Sequence, residues 1–230
     1  MQQFSTSGSR PLALSASTES QVYGLFALAM ALTVAGVYLG MAYASVLLTS
    51  GMYIMLLIVE LAVIFTARLW MDKSPLNIVL FGVFPVISGI TVTSYLLLLL
   101  ASYVNGPAIL FNALAATVFM GLAAAVFART TSWNLGVFGR GLFFALLGLI
   151  ALGILQLFVP ALRTPAAELF LSGAGVAVFA FFTAFDLQRI QEQARLGANP
   201  FMLALSLYLD IFNLFLYILR FMTALSGERR

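Results

Sequence analysis

The stretch Ala204-Leu205-Ser206-Leu207-Tyr208-Leu209-Asp210-Ile211-Phe212-Asn213-Leu214-Phe215-Leu216-Tyr217-Ile218-Leu219-Arg220 decides the fold class, because it is apolar at membrane length yet carries one polar line. Ser206, Asp210, Asn213, Tyr217 and Arg220 follow one another at steps of four, three, four and three. At about 100° per residue their side chains share one stripe of a helix. A helix that is apolar everywhere except on that stripe must be enclosed by protein or water there. The pattern therefore predicts a central helix rather than a lipid-exposed one.

The same apolar character recurs outward from it. Of 230 residues, 63% are hydrophobic and 8% charged, where a soluble domain carries charge on about 25%, so a water-soluble reading is excluded. Six further apolar segments run Val22 to Met41, Gly51 to Trp70, Ile78 to Leu100, Pro107 to Phe127, Gly141 to Leu162 and Ala166 to Phe185, with Pro200 to Met222 as the last. A bilayer core roughly 30 Å thick asks for about 20 such residues per helix. Hydrophobicity on all sides, without strand-like alternation, argues against a barrel. The expectation is an all-α membrane protein with seven transmembrane helices over residues 21–224. Met1 to Ser20, rich in Ser and lacking the order of a cleavable signal, reads as a disordered cytoplasmic tail, and residues 225–230 as a short C-terminal tail. Brief connections such as Asp72-Lys73-Ser74-Pro75 and Arg163-Thr164-Pro165 leave no room for a second domain.

Composition excludes several chemistries. The chain has no Cys and no His, which removes disulfides, thiolate sites and imidazole catalysis or ligation. The formal charge of +3 is small and the basic residues are scattered, so no nucleic-acid footprint is expected. Basic loops stay cytoplasmic. With the N-terminus inside, inner connections hold Arg68, Lys73, Arg129, Arg140, Arg189 and Arg195, while the outer connections hold only Arg163. Seven crossings put Arg229 and Arg230 outside, against this trend.

Charges inside the spans are the candidate site. An ionisable group at the bilayer centre costs roughly 2.5 to 3.5 kcal/mol, so such groups face a bundle interior and mark function. Glu60, Asp186 and Asp210 qualify. Polar contacts between helices return only about 0.6 kcal/mol on average, too little to explain Asp210 as structural glue. Asp186 closes the sixth segment at its cytoplasmic edge, with Thr183 a turn before and Arg189 a turn after. Ser88, Thr91, Thr93 and Ser94 add hydroxyls, and Arg68 and Arg220 read as interfacial residues that snorkel.

The quoted stretch closely resembles the last-helix signature of the Bax inhibitor-one family, the transmembrane Bax inhibitor motif family, in its bacterial form. Phe185-Asp186-Leu187-Gln188-Arg189-Ile190 is similar to that family's Tyr-Asp-x-Gln-x-Ile element, with Phe in place of Tyr, and Gln21-Val22-Tyr23 and Ser88-Gly89-Ile90-Thr91 resemble two further elements. The resemblance implies six helices surrounding a central seventh, and a pH-sensitive calcium leak in a bacterial inner membrane. It implies that Asp186 and Asp210 are the paired pH sensor and that Glu60 is the family's second-helix acid. Where the family carries a basic latch after that helix, this chain reads Arg68-Leu69-Trp70-Met71-Asp72-Lys73, so Arg68 and Lys73 are the latch candidates.

Two carboxylates within hydrogen-bonding reach share a proton and titrate as one unit. At higher pH the anionic pair would hold a basic latch or a calcium ion, and acidification would release it. The expected ion path runs by Glu60, Ser206, Asp210 and Asn213, with Asp186, Asp210 and Glu60 as candidate calcium ligands. Calcium is the transported species, protons the signal, the bilayer the surroundings, and no tightly bound cofactor is expected. An enzyme is not expected: intramembrane aspartyl proteases need Gly-x-Gly-Asp, whereas this chain has Leu207-Tyr208-Leu209-Asp210. The alternative is a non-transporting modulator that binds a stress-response partner or a membrane-bound AAA protease.

Overall fold

The computed structural model describes residues 17–49 and 51–226. Nine α-helices are found among them: α1 Thr18–Ala42, α2 Ala44–Thr49, α3 Met52–Phe65, α4 Ala67–Trp70, α5 Leu76–Ser102, α6 Gly106–Thr130, α7 Gly139–Phe158, α8 Pro165–Arg195 and α9 Pro200–Ser226. Short 3-10 turns at Leu135–Phe138 and Pro160–Leu162 flank α7. No β-strand occurs among the described residues.

Among the described residues six helical stretches are long and apolar enough to cross a membrane: α1, α5, α6, the Leu135–Gln156 stretch, α8 and α9. The expected seventh, Gly51 to Trp70, is interrupted. Its main piece α3 has 14 residues, about 21 Å at 1.5 Å per residue against a core of roughly 30 Å. The break falls at Thr66, whose Oγ1 turns back to donate to Ala62 O at 2.6 Å. At Thr66 the backbone leaves the helical region, with φ −93° and ψ 3°. The one-turn α4 follows, anchored where the Trp70 indole N–H donates to Val63 O at 3.2 Å.

Two other boundaries move. α1 begins at Thr18, with the Ser17 hydroxyl accepting from Ser20 N at 3.2 Å, so the last three residues assigned to the N-terminal tail are helical. The rest of that tail, residues 1–16, and residues 227–230 with Arg229 and Arg230 lie outside the described residues. α8 runs to Arg195, well past the expected end at Phe185. Its polar final turns, rich in Gln, Glu and Arg, are good helix formers without being apolar, which is why a hydropathy reading stops short.

α1 packs most extensively on α5, and α8 on α9; α9 also meets α1, α6 and, at few places, α5. The α1–α5 contact is backbone against backbone. Gly36 faces Val86, Gly40 faces Thr93, and a Cβ on Gly89 would run into the Thr33 carbonyl of α1. Without a hydrophobic drive between helices in lipid, small residues that permit such close approach hold spans together. α5 and α9 are equally enclosed, half of each apolar window being buried.

Helix ends sort into two groups. At one end Glu19 pairs with Arg129 at 3.5 Å, Gln188 bridges Trp133 O and Leu135 N, and Asn199 donates to Met71 O and to Asp72 at 2.9 and 2.7 Å. At the other, Arg220 pairs with Glu168 at 2.8 Å, beside Tyr103, Gln156 and Arg163. The α3–α4 segment begins near the second group, where Tyr53 lines a cavity with Arg220, and ends beside Asn199 in the first.

Candidate functional site: a carboxylate pair buried between the last two helices

α8 and α9 form an antiparallel hairpin joined by residues 196–199. Asp186 and Asp210 are equally distant in sequence from Ala198, so the hairpin sets them side by side. Asp186 is 2% and Asp210 7% exposed. Their carboxyl groups lie within hydrogen-bonding reach of each other, and Asp186 also lies in reach of the Ser206 hydroxyl. An Arg189 NH group donates to Asp186 Oδ1 at 3.0 Å, its guanidinium 6.0 Å from the Phe185 ring centre. Asp210 Oδ2 is buried and has no hydrogen-bond partner among the described residues. Two facing carboxyls repel strongly if both are charged where water is scarce, and the guanidinium of Arg189 meets the pair on the Asp186 side.

The cation is therefore local. Arg68 and Lys73, the latch candidates, are both exposed, and the guanidinium on Asp186 comes from one turn along its own helix. Sequence reading noted Arg189 only as a neighbour. The i to i+3 spacing was the available signal.

Glu60 belongs to a different cluster. Both of its carboxylate oxygens lie 3.2 Å from Thr91 Oγ1 on α5, and the Ser88 hydroxyl is also in reach. The Tyr208 hydroxyl meets Thr33 Oγ1 at 2.8 Å and lies in reach of Ser88. Hydroxyls of α1, α5 and α9 thus gather near Glu60 on α3. Among the described residues no three acidic side chains group closely enough to hold one metal ion together, and Glu60 stands in a cluster apart from Asp186 and Asp210. Asn213 turns to its own helix, donating to Leu209 O at 2.7 Å.

Glu60 lines a cavity of about 260 Å³ with Tyr53, Thr91, Tyr95 and Arg220. A larger cavity of about 920 Å³ lies at the helix end that carries Glu168 and Arg163. Tyr95 and Arg220 line both. Arg220 does not simply snorkel: its Nε and terminal NH₂ fork onto the two Glu168 oxygens at 2.8 and 2.9 Å, with the Tyr217 ring 5.6 Å away. Glu168 went unnoticed in the sequence because it stands in the first turn of α8, where an acid commonly complements the helix dipole.

Tyr208, off the polar stripe of the last helix, likewise drew no notice in the sequence. It is fully buried between Phe84 and Phe212. Tyr208→Phe is expected to destabilise the protein by about 0.5–1 kcal/mol, because Thr33 retains its bond to Ala29 O at 2.9 Å. A small downward step in unfolding temperature in detergent would report it, while Tyr208→Ala, which also empties the ring's space, should lower that temperature several times further.

Helices long and apolar enough for a bilayer, enclosing a carboxylate pair between the last two of them, define a helical membrane protein with ionisable groups in its interior. α9 passes without a break through Leu207–Asp210, unlike the glycine turn of an intramembrane aspartyl protease. The chain belongs to the Bax inhibitor-1 family: residues 16–227 match the family described as Inhibitor of apoptosis-promoting Bax1. It is 31% identical over 210 residues to an uncharacterized protein of Campylobacter jejuni, covering 90% of this chain and 88% of that one. It is 27% identical over 226 residues to the inner membrane protein YbhL of Escherichia coli, covering 92% and 91%. With protein lifeguard 4 of Mus musculus it shares 30% identity over 170 residues, 74% of this chain and 67% of that one.

Proposed function

We propose that this protein is a pH-sensitive calcium leak channel, gated by protonation of Asp186 and Asp210. The carrying observation is the buried carboxylate pair, shared between two helices and balanced by the single guanidinium of Arg189. In this reading the singly protonated pair holds Arg189 and keeps the ends of α8 and α9 together. A second proton removes the charge that Arg189 answers, the contact weakens, and that end of the bundle opens. Calcium enters from the opposite end, through the large cavity and past Tyr95 and Arg220, to the carboxylate and hydroxyl oxygens around Glu60, a donor set suited to a hard cation.

The same reading takes α3 and α4 together as the seventh crossing, which their passage from the Arg220 end to the Asn199 end supports. It takes α9 as the central helix and the end bearing Arg129, Arg189 and Arg195 as cytoplasmic, by the excess of basic residues there. A bacterial inner membrane is the proposed location, in keeping with the Escherichia coli relative's name.

The test is calcium flux through purified protein in liposomes at a series of external pH values. Flux should rise as pH falls, and Asp186→Asn and Asp210→Asn should each flatten that response. Unaltered flux and pH response in both variants would remove the sensor. Absence of flux from the native protein at every pH would overturn the channel and leave a modulator that acts by binding.

A further inference from the structure

A second cavity, of about 690 Å³, opens sideways between α1 and α6. The two helices rest on common neighbours, α5 and α9, without packing along one another. Val34 and Tyr38 of α1 form one wall, Leu114 and Val118 of α6 the other, and Leu96 of α5 and Phe212 of α9 the floor. The lining runs from Phe26 to Met41 on α1, about 22 Å of helix at 1.5 Å per residue. Its threonine hydroxyls are already engaged. Thr33 donates to Ala29 O at 2.9 Å, Thr93 to Gly89 O at 2.8 Å and Thr117 to Ala113 O at 2.7 Å, each within its own helix.

A cavity whose free polar groups reduce to the hydroxyl of the exposed Tyr38 lacks the two to four partners an ordered water needs. Its size lies in the range of ligand sites, roughly 300 to 1,000 Å³, and it opens at the depth of the spanning segments, where the surrounding medium is hydrocarbon. The filler at hand is therefore an acyl chain. The chemistry at one end of the cleft selects among lipids. Glu19 and Tyr23 continue the α1 wall backward by helical steps from Phe26, and Arg129 continues the α6 wall forward from Leu122. Arg129 reaches Glu19 at a long 3.5 Å, with 62% of its side chain exposed, and the Tyr23 hydroxyl lies in reach of both. An exposed pair of that length is weak, so the guanidinium is able to turn to a phosphate.

We propose that the α1–α6 cleft is a lipid site, taking one acyl chain of an anionic phospholipid whose phosphate rests on Arg129. The inference is independent of the channel reading, because it concerns a different face of α9 and no carboxylate of the pair.

The experiment uses the full chain in liposomes containing phosphatidylglycerol or phosphatidylcholine with a photoreactive diazirine in the tail, followed by peptide mapping of the crosslinks. Phosphatidylglycerol should label Val34, Tyr38, Leu114 and Val118 several-fold more than Phe111, Phe119 and Phe144, whose exposures of 71%, 73% and 69% make them ordinary lipid-facing residues. Unlabelled phosphatidylglycerol should compete for the cleft positions alone. Arg129→Gln, an exposed change that leaves the fold intact, should reduce labelling by phosphatidylglycerol to the level given by phosphatidylcholine. Labelling that simply follows exposure and resists competition would overturn the site. So would crosslinking of the cleft to a second copy of the chain, and equal labelling of the native protein by the two lipids would overturn the role given to Arg129.

Discussion

Gly89→Val is expected to abolish the folded protein: material that elutes as a single detergent-solubilised species for the native chain should aggregate or disappear. The added Cβ would occupy the position of the Thr33 carbonyl oxygen on α1, and neither helix backbone can yield by that much without parting the α1–α5 seam. Overpacking costs about 1–3 kcal/mol where side chains can adjust, and more where they cannot. Here the obstacle is main chain. Parting the seam also breaks the Thr33–Tyr208 bond, so the damage reaches α9. Gly36→Val should behave alike, because its Cβ would meet Val86 O. Gly82→Ala and Gly148→Ala, at positions where an added Cβ meets nothing within 4 Å, should leave the elution profile and unfolding temperature at or slightly above native. Native behaviour of Gly89→Val would show that the two helices are further apart than described.

The second large effect is expected at the carboxylate pair. Each proton taken up by a gating group shifts an equilibrium by up to about tenfold per pH unit. An amide cannot ionise, so on the channel reading Asp210→Asn should give a calcium flux nearly constant with pH, where that of the native protein is expected to rise as pH falls. Arg189→Gln separates sensing from structure. It keeps both carboxyls and removes the positive charge 3.0 Å from Asp186, which makes proton uptake easier. The rise in flux should then begin at higher pH, by about one unit or more, the scale on which a neighbouring guanidinium acts. Arg68→Gln and Lys73→Gln, at exposed positions, should leave the profile in place. A profile that moves with Lys73 or Arg68 and ignores Arg189 would return the latch to the α4 region.

The spans were legible in the chain because a bilayer imposes a length and a polarity that no soluble fold does. α1, α5, α6 and α9 are each recognisable within about four residues, and α8 at its start but not at its polar end. α3 was not, since hydropathy measures apolar length and is blind to where the backbone leaves the helix, as it does at Thr66. Asp186 and Asp210 stood out because an intramembrane acid is costly wherever it lies. Their partners did not. Arg189 fell among the inner connections until α8 proved to extend past it, and Glu168 drew no notice until Arg220 was found forked onto it.

By itself the sequence determined that this protein is a bundle of apolar helices with acids in its interior and one polar stripe on the last helix, because periodicity and transfer cost are local properties of the chain. Only the tertiary structure decided which groups meet. It joined Asp186 to Asp210 and Arg189, kept Glu60 apart with Thr91 and Ser88, and opened a dry cleft between α1 and α6. Pairing of this kind depends on how far each helix runs, where it breaks and how closely glycine lets it approach its neighbour, and these are set by packing among segments distant in sequence.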